Sequence, residues 1–180
     1  QVKVNGAVVS DHTCYHFLFE DGFEDRDVGG GQIWPPELAS EIVPMIRRPD
    51  SLTATELAPF VNVSPEELAR AFSFEDDLSH FRWAFATAES YAGIGLHLWK
   101  TQAPDLMMTY IEATDSTAHL FGHLFRNKDL AGELAEQQKK FGGTVEAVYL
   151  YADRVLGRYL DALDSNTTLV VLSDHGFQLG

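Results

Sequence analysis

Two pairs of aspartate and histidine stand out in the 180-residue sequence. Asp115 and His119 are four positions apart, and Asp174 and His175 are adjacent. Carboxylate oxygens and imidazole nitrogens are common ligands of divalent metal ions, including zinc. Residues four positions apart on a helix lie on one face, so Asp115 and His119 can converge on one ion. The two pairs therefore indicate metal binding.

Each pair directly follows an apolar run of the kind found in buried strands. The first run covers residues 106–111 and the second covers residues 169–172. Such nearly unbroken runs are typical of central strands that are buried on both faces. Between them, after Gly142 and Gly143, apolar residues recur with the helical period of about 3.6 residues. A strand, a crossover helix and a second strand predict a parallel sheet.

A parallel sheet would bring the two pairs to the same rim, because the carboxyl ends of parallel strands form the ligand crevice of open α/β sheets. Adjacent residues of an ideal strand point to opposite faces, so Asp174 and His175 both reach a cleft only where Gly176 permits a turn. Plainer explanations exist for each pair alone, since Asp115 could cap the following helix and a histidine near a core is commonly structural. The coincidence of both pairs at one rim favours a metal site.

The region before these strands carries start signals for short helices. Thr53 with Glu56, and Ser64 with Glu67, form capping-box patterns. In such a box the side chains of the first and fourth residues bond to each other's backbone N–H groups. We therefore predict a small helical insertion or cap over approximately residues 23–74.

A longer, buried helix is predicted from about residue 76 to residue 101. Its aromatic residues Phe81 and Phe85 lie on one helical face. Gly93 and Gly95 weaken the helical preference of this segment. We interpret these glycines as points of close helix packing rather than as a phosphate-binding loop.

Composition limits the classes of protein to consider. A chain of this length with 45% hydrophobic residues predicts one globular unit, and a formal net charge of -14 argues against a general nucleic-acid-binding surface. The single cysteine, Cys14, excludes an internal disulfide and a cysteine-based zinc cluster, and is predicted to be a small buried hydrophobe. The sequence shows neither a membrane span nor a signal-peptide pattern, and it leaves the compartment and the oligomeric state open.

The motifs resemble those of a known family. An Asp-x-x-x-His after one predicted strand and Ser-Asp-His-Gly-Phe after a later one are similar to the type I phosphodiesterase and nucleotide pyrophosphatase branch of the alkaline phosphatase superfamily. The segments 4–11 and 34–39 also resemble stretches that precede these motifs in members of that branch. The resemblance implies an α/β fold class. Residues 1–180 would then be a single partial catalytic domain of an alkaline-phosphatase-like three-layer fold, with a central, mostly parallel sheet and the helical insertion within it.

The resemblance also implies a chemistry. It predicts two divalent metal ions, usually zinc, with Asp115 and His119 on one ion and Asp174 and His175 on the other. In the family a later histidine completes the first site, and an earlier aspartate and a threonine or serine nucleophile complete the second. None of these three can be assigned in this sequence, so the nucleophile is expected to lie outside this chain. We therefore expect part of a metal-dependent phosphoric ester hydrolase that acts on a small phosphoester and is inactive as these residues alone.

Four flanking residues are further candidates. His123 could share a helix face with His119 and act as a ligand or substrate contact, although helix packing would explain it equally simply. Glu112, Thr114 and Ser173 could donate or accept hydrogen bonds that orient the imidazoles. Backbone capping explains Thr114 and Ser173 just as well.

Two other readings stay open at this stage. The same metal framework serves phosphomonoesterases, sulfatases and phosphomutases, so the reaction could be one of these. Alternatively, the chain could be a noncatalytic binding domain that keeps the core without a working metal pair. For all of these functions, the 180 residues alone are expected to bind metal weakly and to be poorly soluble, because neighbouring strands of the sheet would be missing.

Overall fold

The computed structural model describes residues 5–11, 13–14, 32–73 and 75–178. The described chain is mixed α/β and mostly helical. Its sheet consists of two short antiparallel strands, β1 (Val8–Val9) and β2 (Ile33–Trp34), with Val8 opposite Trp34. No helix among the described residues is both long enough and apolar enough to span a bilayer.

The helices follow the two strands along the chain. They are α1 (Ala39–Ile42), α2 (Ala54–Leu57), α3 (Pro65–Leu68), α4 (Asp77–Gln102), α5 (Ala113–Phe121), α6 (Glu133–Phe141) and α7 (Thr144–Leu160). Short 3-10 helices lie at Pro36–Leu38, Val43–Met45, Pro49–Ser51 and Gly122–Leu124. The amphipathic helix predicted after Gly142 and Gly143 is confirmed as α7.

Both predicted capping boxes are confirmed. At α2 the backbone N–H of Glu56 donates to Thr53 Oγ1 (3.3 Å), and the Thr53 N–H donates to Glu56 Oε2 (2.9 Å). At α3 the N–H of Glu67 donates to Ser64 Oγ (3.2 Å), and the Ser64 N–H donates to Glu67 Oε2 (2.8 Å). These bonds satisfy N–H groups that have no partner inside the helix, which is why such short helices begin where they do.

The long buried helix predicted near residues 76–101 is confirmed as α4. It begins where the Ser79 N–H donates to the side chain of Asp76 (2.8 Å), and it ends at Ala103, which has a left-handed backbone (φ 44°). Gly95 is a packing glycine, as predicted, because an added Cβ would lie 2.1 Å from Tyr159 Oη. At Gly93 no neighbouring atom of the described residues lies within 4 Å of the same position, so the packing explanation is supported for Gly95 alone.

The main core joins α4, α5 and α7 to the segment that contains α2. Its buried members are Leu52, Leu57, Phe60, Val61, Leu78, Phe81, Phe85, Ala86, Ala88, Ala92, Ala113, Phe121, Leu124, Phe141, Val145, Val148, Tyr151 and Val155. The ring of Phe60 lies 4.6 Å from that of Phe85, and Thr144 Oγ1 donates to the Phe60 carbonyl (2.8 Å). Residues 52–61 of the predicted insertion are therefore built into the main core. Its residues 23–31 and Phe74 lie outside the described residues, and the division into domain and insertion stays a prediction.

A smaller core cluster supports the two-stranded sheet. It consists of Ile33, Leu38, Ile42 and Ile94, with residues such as Val9 packed against it. Ile94 belongs to α4, so the strands and the first short helices are held against the same long helix that carries the main core.

The two apolar runs expected to be central strands differ from the prediction. Neither residues 106–111 nor residues 169–172 form a strand, and most of their side chains are exposed, with Met108 at 89% and Leu172 at 87%. The predicted burial on both faces is therefore wrong for the described structure, and a central parallel sheet is not shown. The physical reason is that a strand needs a neighbour to bond its backbone groups, and no described segment pairs with either run.

The first run nevertheless alternates with the period of a strand. The side chains of Met107 and Thr109 reach the surface of α4 at Gly95, and Ile111 packs against the main core. Met108 and Tyr110, which lie between them along the chain, face outward and are exposed. A period of two is the pattern of a pleated strand, here with its inner face on helices. This inner face fixes the path of the chain into α5.

Candidate functional site

Helix α5 positions the first Asp/His pair. It begins at Ala113, a few residues before the predicted start near Ser116, so Asp115 lies in its first turn. His119 follows one turn later, and its Nε2 lies 3.7 Å from Asp115 Oδ2. The turn is shaped by Glu112, whose carbonyl accepts the Asp115 N–H (3.0 Å) and whose carboxylate accepts the Ser116 hydroxyl (3.2 Å).

A tight turn at residues 173–177 positions the second pair. Ser173 Oγ donates to the His175 carbonyl (2.6 Å), which closes the turn. His175 Nδ1 lies 3.0 Å from the Gly176 carbonyl oxygen. A carbonyl can only accept, so Nδ1 is the donor in this bond, and in the neutral ring the lone pair is then on Nε2. A free Nε2 lone pair is what a metal ion requires of a histidine ligand.

The two pairs meet at Asp115. His175 Nε2 lies 3.8 Å from Asp115 Oδ1 and 3.7 Å from Asp174 Oδ2, while Asp115 Oδ2 faces His119. The turn at residues 173–177 therefore lies against the first turn of α5, and the structure brings all four predicted ligands together. Asp115 is the common neighbour of both histidines.

The distances within the cluster are too long for direct hydrogen bonds. Separations of 3.7–3.8 Å exceed the usual hydrogen-bond range. Two ligands on one tetrahedral zinc, with bonds of about 2.0–2.1 Å, lie about 3.3 Å apart, so a small adjustment would let them share an ion. Among the described residues, no three His, Cys, Asp or Glu side chains already converge as a ready metal-binding group. The four side chains are neighbours, but their donor atoms do not converge on a single position.

Asp115 provides the test of whether a cation fits. Its Oδ1 is buried and has no hydrogen-bond partner in the part of the chain that the structure describes. A buried carboxylate oxygen without a donor is costly, and a bound cation is one of the few groups that offset this cost. The Asp115 side chain is 33% exposed, whereas that of His119 is 68% exposed. The site is thus open to solvent on the imidazole side, and its residues fit a divalent ion.

Two residues at the site were not identified from the sequence. The ring of Phe177 lies 4.8 Å from that of His119 in an edge-to-face arrangement, at 85°. Tyr110 is largely exposed, yet the pKa of its hydroxyl is raised, first by partial desolvation and then by the carboxylates of Glu112, Asp174 and Asp115. Phe177 closes the Ser-Asp-His-Gly-Phe motif and Tyr110 stands near the end of the first apolar run. Only their place within those patterns could have indicated them.

The four flanking candidates differ in what they contact. Glu112 and Ser173 bond within the two turns as described above, and Thr114 lies in the first turn of α5. His123 is exposed in the 3-10 helix that follows α5, and its carbonyl accepts from Asn127 (3.4 Å). Because the α-helical spacing ends at Phe121, His123 does not continue the row of Asp115 and His119. Among the described residues its ring forms no hydrogen bond or ion pair with the four.

Comparison with known proteins adds a family to this geometry. The model of the type I phosphodiesterase / nucleotide pyrophosphatase family matches residues 27–180, which include both Asp/His pairs. Neither the search of curated proteins nor the search of solved structures gave a match. Members of this family are phosphoric ester hydrolases that generally depend on divalent metal ions and act on small phosphoester substrates. With most of its length covered, the chain belongs to the type I phosphodiesterase / nucleotide pyrophosphatase family.

Proposed function

We propose that this chain supplies part of the two-metal centre of a phosphodiesterase or nucleotide pyrophosphatase. Asp115 and His119 would ligate one divalent ion, and Asp174 and His175 the other, with zinc as the expected metal. The observation that carries the proposal is the buried Oδ1 of Asp115, which has no hydrogen-bond partner among the described residues and lies 3.8 Å from His175 Nε2. Family membership supplies the reaction class.

The chemistry of such a centre suits a phosphoester. When bound, two divalent ions neutralise the nonbridging phosphate oxygens and activate the attacking hydroxyl. The contribution of this chain is preorganisation. The Gly176 carbonyl accepts from Nδ1 of His175 and so turns its Nε2 toward the site, and the first turn of α5 places Asp115 one helical turn before His119. A chain with a formal net charge of -14 would otherwise repel an anionic substrate.

The remaining machinery is assigned outside this chain. We place a threonine or serine nucleophile, and the other ligands, in parts of the protein other than residues 1–180, so these residues alone are expected to be inactive. Within the chain, Glu112 and Ser173 would keep the two ligand turns in shape, while roles for Thr114 and His123 toward the substrate stay predictions.

The proposal extends to the fold. We propose that residues 106–111 and 169–172 are strands of a mostly parallel central sheet in the three-layer fold of the superfamily. The alternation of Met107, Thr109 and Ile111 toward the helices supports this, because it is the pattern of a strand that lacks only its neighbours. The exposed outer side chains, Leu106 and Met108, would then face the second helical layer.

The test uses the full-length protein and an aryl phosphodiester. Asp115→Asn keeps the shape of the side chain but removes its charge, and it is expected to lose at least one equivalent of bound metal together with most of the turnover. Asp153→Asn, at an exposed position on α7, is the matched control and should keep both. Metal content is measured by mass spectrometry after gel filtration, and turnover with and without a chelator. Turnover that persists in chelator, or unchanged metal content in Asp115→Asn, would reject the proposal.

A further inference from the structure

The imidazole of His119 needs a constraint that α5 alone does not supply. Its side chain is 68% exposed, so solvent leaves its rotamers free. Its contact with Asp115, at 3.7 Å, is too long to be a hydrogen bond that would lock the ring. If a ligand side chain becomes ordered only when the metal binds, the loss of its conformational entropy lowers the metal affinity.

Phe177 supplies a second contact to this ring. The two rings meet edge to face with centroids 4.8 Å apart and planes at 85°. This is a preferred geometry for aromatic pairs, because the positive edge of one ring meets the negative face of the other. Phe177 is itself partly buried, whereas His119 is exposed. His119 thus lies between Asp115 on its own helix and Phe177 on the other motif.

The contact also joins the two halves of the site. Phe177 follows His175 by two residues, so the turn that carries the second pair of ligands touches a ligand of the first pair. We infer that Phe177 is a positioning residue, which holds the His119 imidazole toward Asp115 and preorganises that ion's site. The inference rests on the proposed metal centre. Phe177 itself offers no metal-binding atom, so its effect passes through His119.

Metal affinity measures this role directly. In the full-length protein, Phe177→Ala is expected to weaken the binding of one of the two ions by about threefold to tenfold, the size expected when an edge-to-face aromatic contact is lost. Phe177→Tyr keeps the ring and should retain wild-type affinity. Binding is measured by titration of the metal-free protein with Co²⁺, whose absorption spectrum also reports the geometry of the site.

A matched control is present elsewhere in the chain. Phe72 lies 6.2 Å from the ring of His80, well away from the four ligands in sequence, and Phe72→Ala should leave both metal affinities unchanged. A double variant separates positioning from a general loss of structure. In a His119→Ala background, Phe177→Ala should produce no further loss of affinity, because the ring it positions is absent. If Phe177→Ala does not fold, Phe177→Leu, which keeps apolar volume without a ring, is used for the same comparison.

The possible outcomes are distinct. A wild-type protein that binds no Co²⁺ would overturn both the metal centre and this inference. A wild-type protein that binds two ions, and loses one in Asp115→Asn but keeps both affinities in Phe177→Ala, would overturn the positioning role alone. An increase in KM with unchanged metal affinity would also overturn it, since it would make Phe177 a substrate contact.

Discussion

Gly95 should tolerate no side chain, although alanine is normally the better residue for a helix. A Cβ at this position would lie 2.1 Å from Tyr159 Oη, 2.9 Å from Thr109 Oγ1 and 3.2 Å from Met107 Cε. Met107 can move its methyl group at small cost, but Tyr159 packs against the main core and donates to the carbonyl of Ala92 (3.3 Å). Gly95→Ala must therefore displace the tyrosine or shift α7 away from α4.

The net effect follows from opposing terms. Overpacking of this kind costs about 1–3 kcal/mol, and the loss of the Tyr159 hydrogen bonds adds about 1 kcal/mol. The higher helix propensity of alanine offsets up to about 1 kcal/mol of this cost. We expect Gly95→Ala to lower the free energy of unfolding by about 1–3 kcal/mol.

Gly93 on the same helix provides the matched control. No neighbouring atom that the structure describes lies within 4 Å of its Cβ position, so Gly93→Ala should be neutral or stabilising by up to about 1 kcal/mol. Tyr159→Phe removes the oxygen responsible for the shortest contact. In that background, Gly95→Ala should cost less than it does in the wild type, with a coupling energy of about 1 kcal/mol.

The assay is urea unfolding of the full-length protein, followed by far-ultraviolet circular dichroism. Free energies of the single variants and of the double variant complete the cycle. Equal stability of Gly95→Ala and Gly93→Ala would refute the reasoning, because it would mean that α7 does not approach α4 as closely as the structure places it.

Two further predictions concern titratable groups. A hydrogen bond from Arg47, followed by bonds from Thr53, lowers the pKa of Glu56 from 4.5 to about 2. Because the folded pKa lies below the unfolded one, the stabilisation is complete above about pH 4.5 and is lost as the pH falls toward 2. The free energy of unfolding of Glu56→Gln should be about 1 kcal/mol lower than that of the wild type near neutral pH, and this difference should disappear in acid. A difference that does not change with pH would contradict the linkage. Burial raises the pKa of the Cys14 thiol to about 11. Alkylation of Cys14 in mild alkali, followed by peptide mapping, should therefore be at least about a hundredfold slower than alkylation of an exposed thiol until denaturant is added. Equal rates would contradict burial.

Local signals in the sequence determined much of the helical structure. The capping boxes at Thr53 and Ser64 were predictable because their bonds span only three residues and need no distant partner. Helix α7 was predictable because its apolar residues recur with the helical period, and α4 because its segment is rich in aromatic and small residues, with Phe81 and Phe85 on one face. The types and spacing of the two Asp/His pairs likewise indicated metal chemistry before any fold was known.

The tertiary structure decided everything that depends on residues far apart along the chain. Asp115 is the meeting point of the two pairs, and Phe177 lies against His119, because the turn at residues 173–177 packs on α5. The apolar runs at residues 106–111 and 169–172 did not become strands, since strand formation requires a neighbour, and composition cannot say whether one is present. The sequence by itself determined which residues could bind a metal, whereas only long-range packing decided which of them lie together.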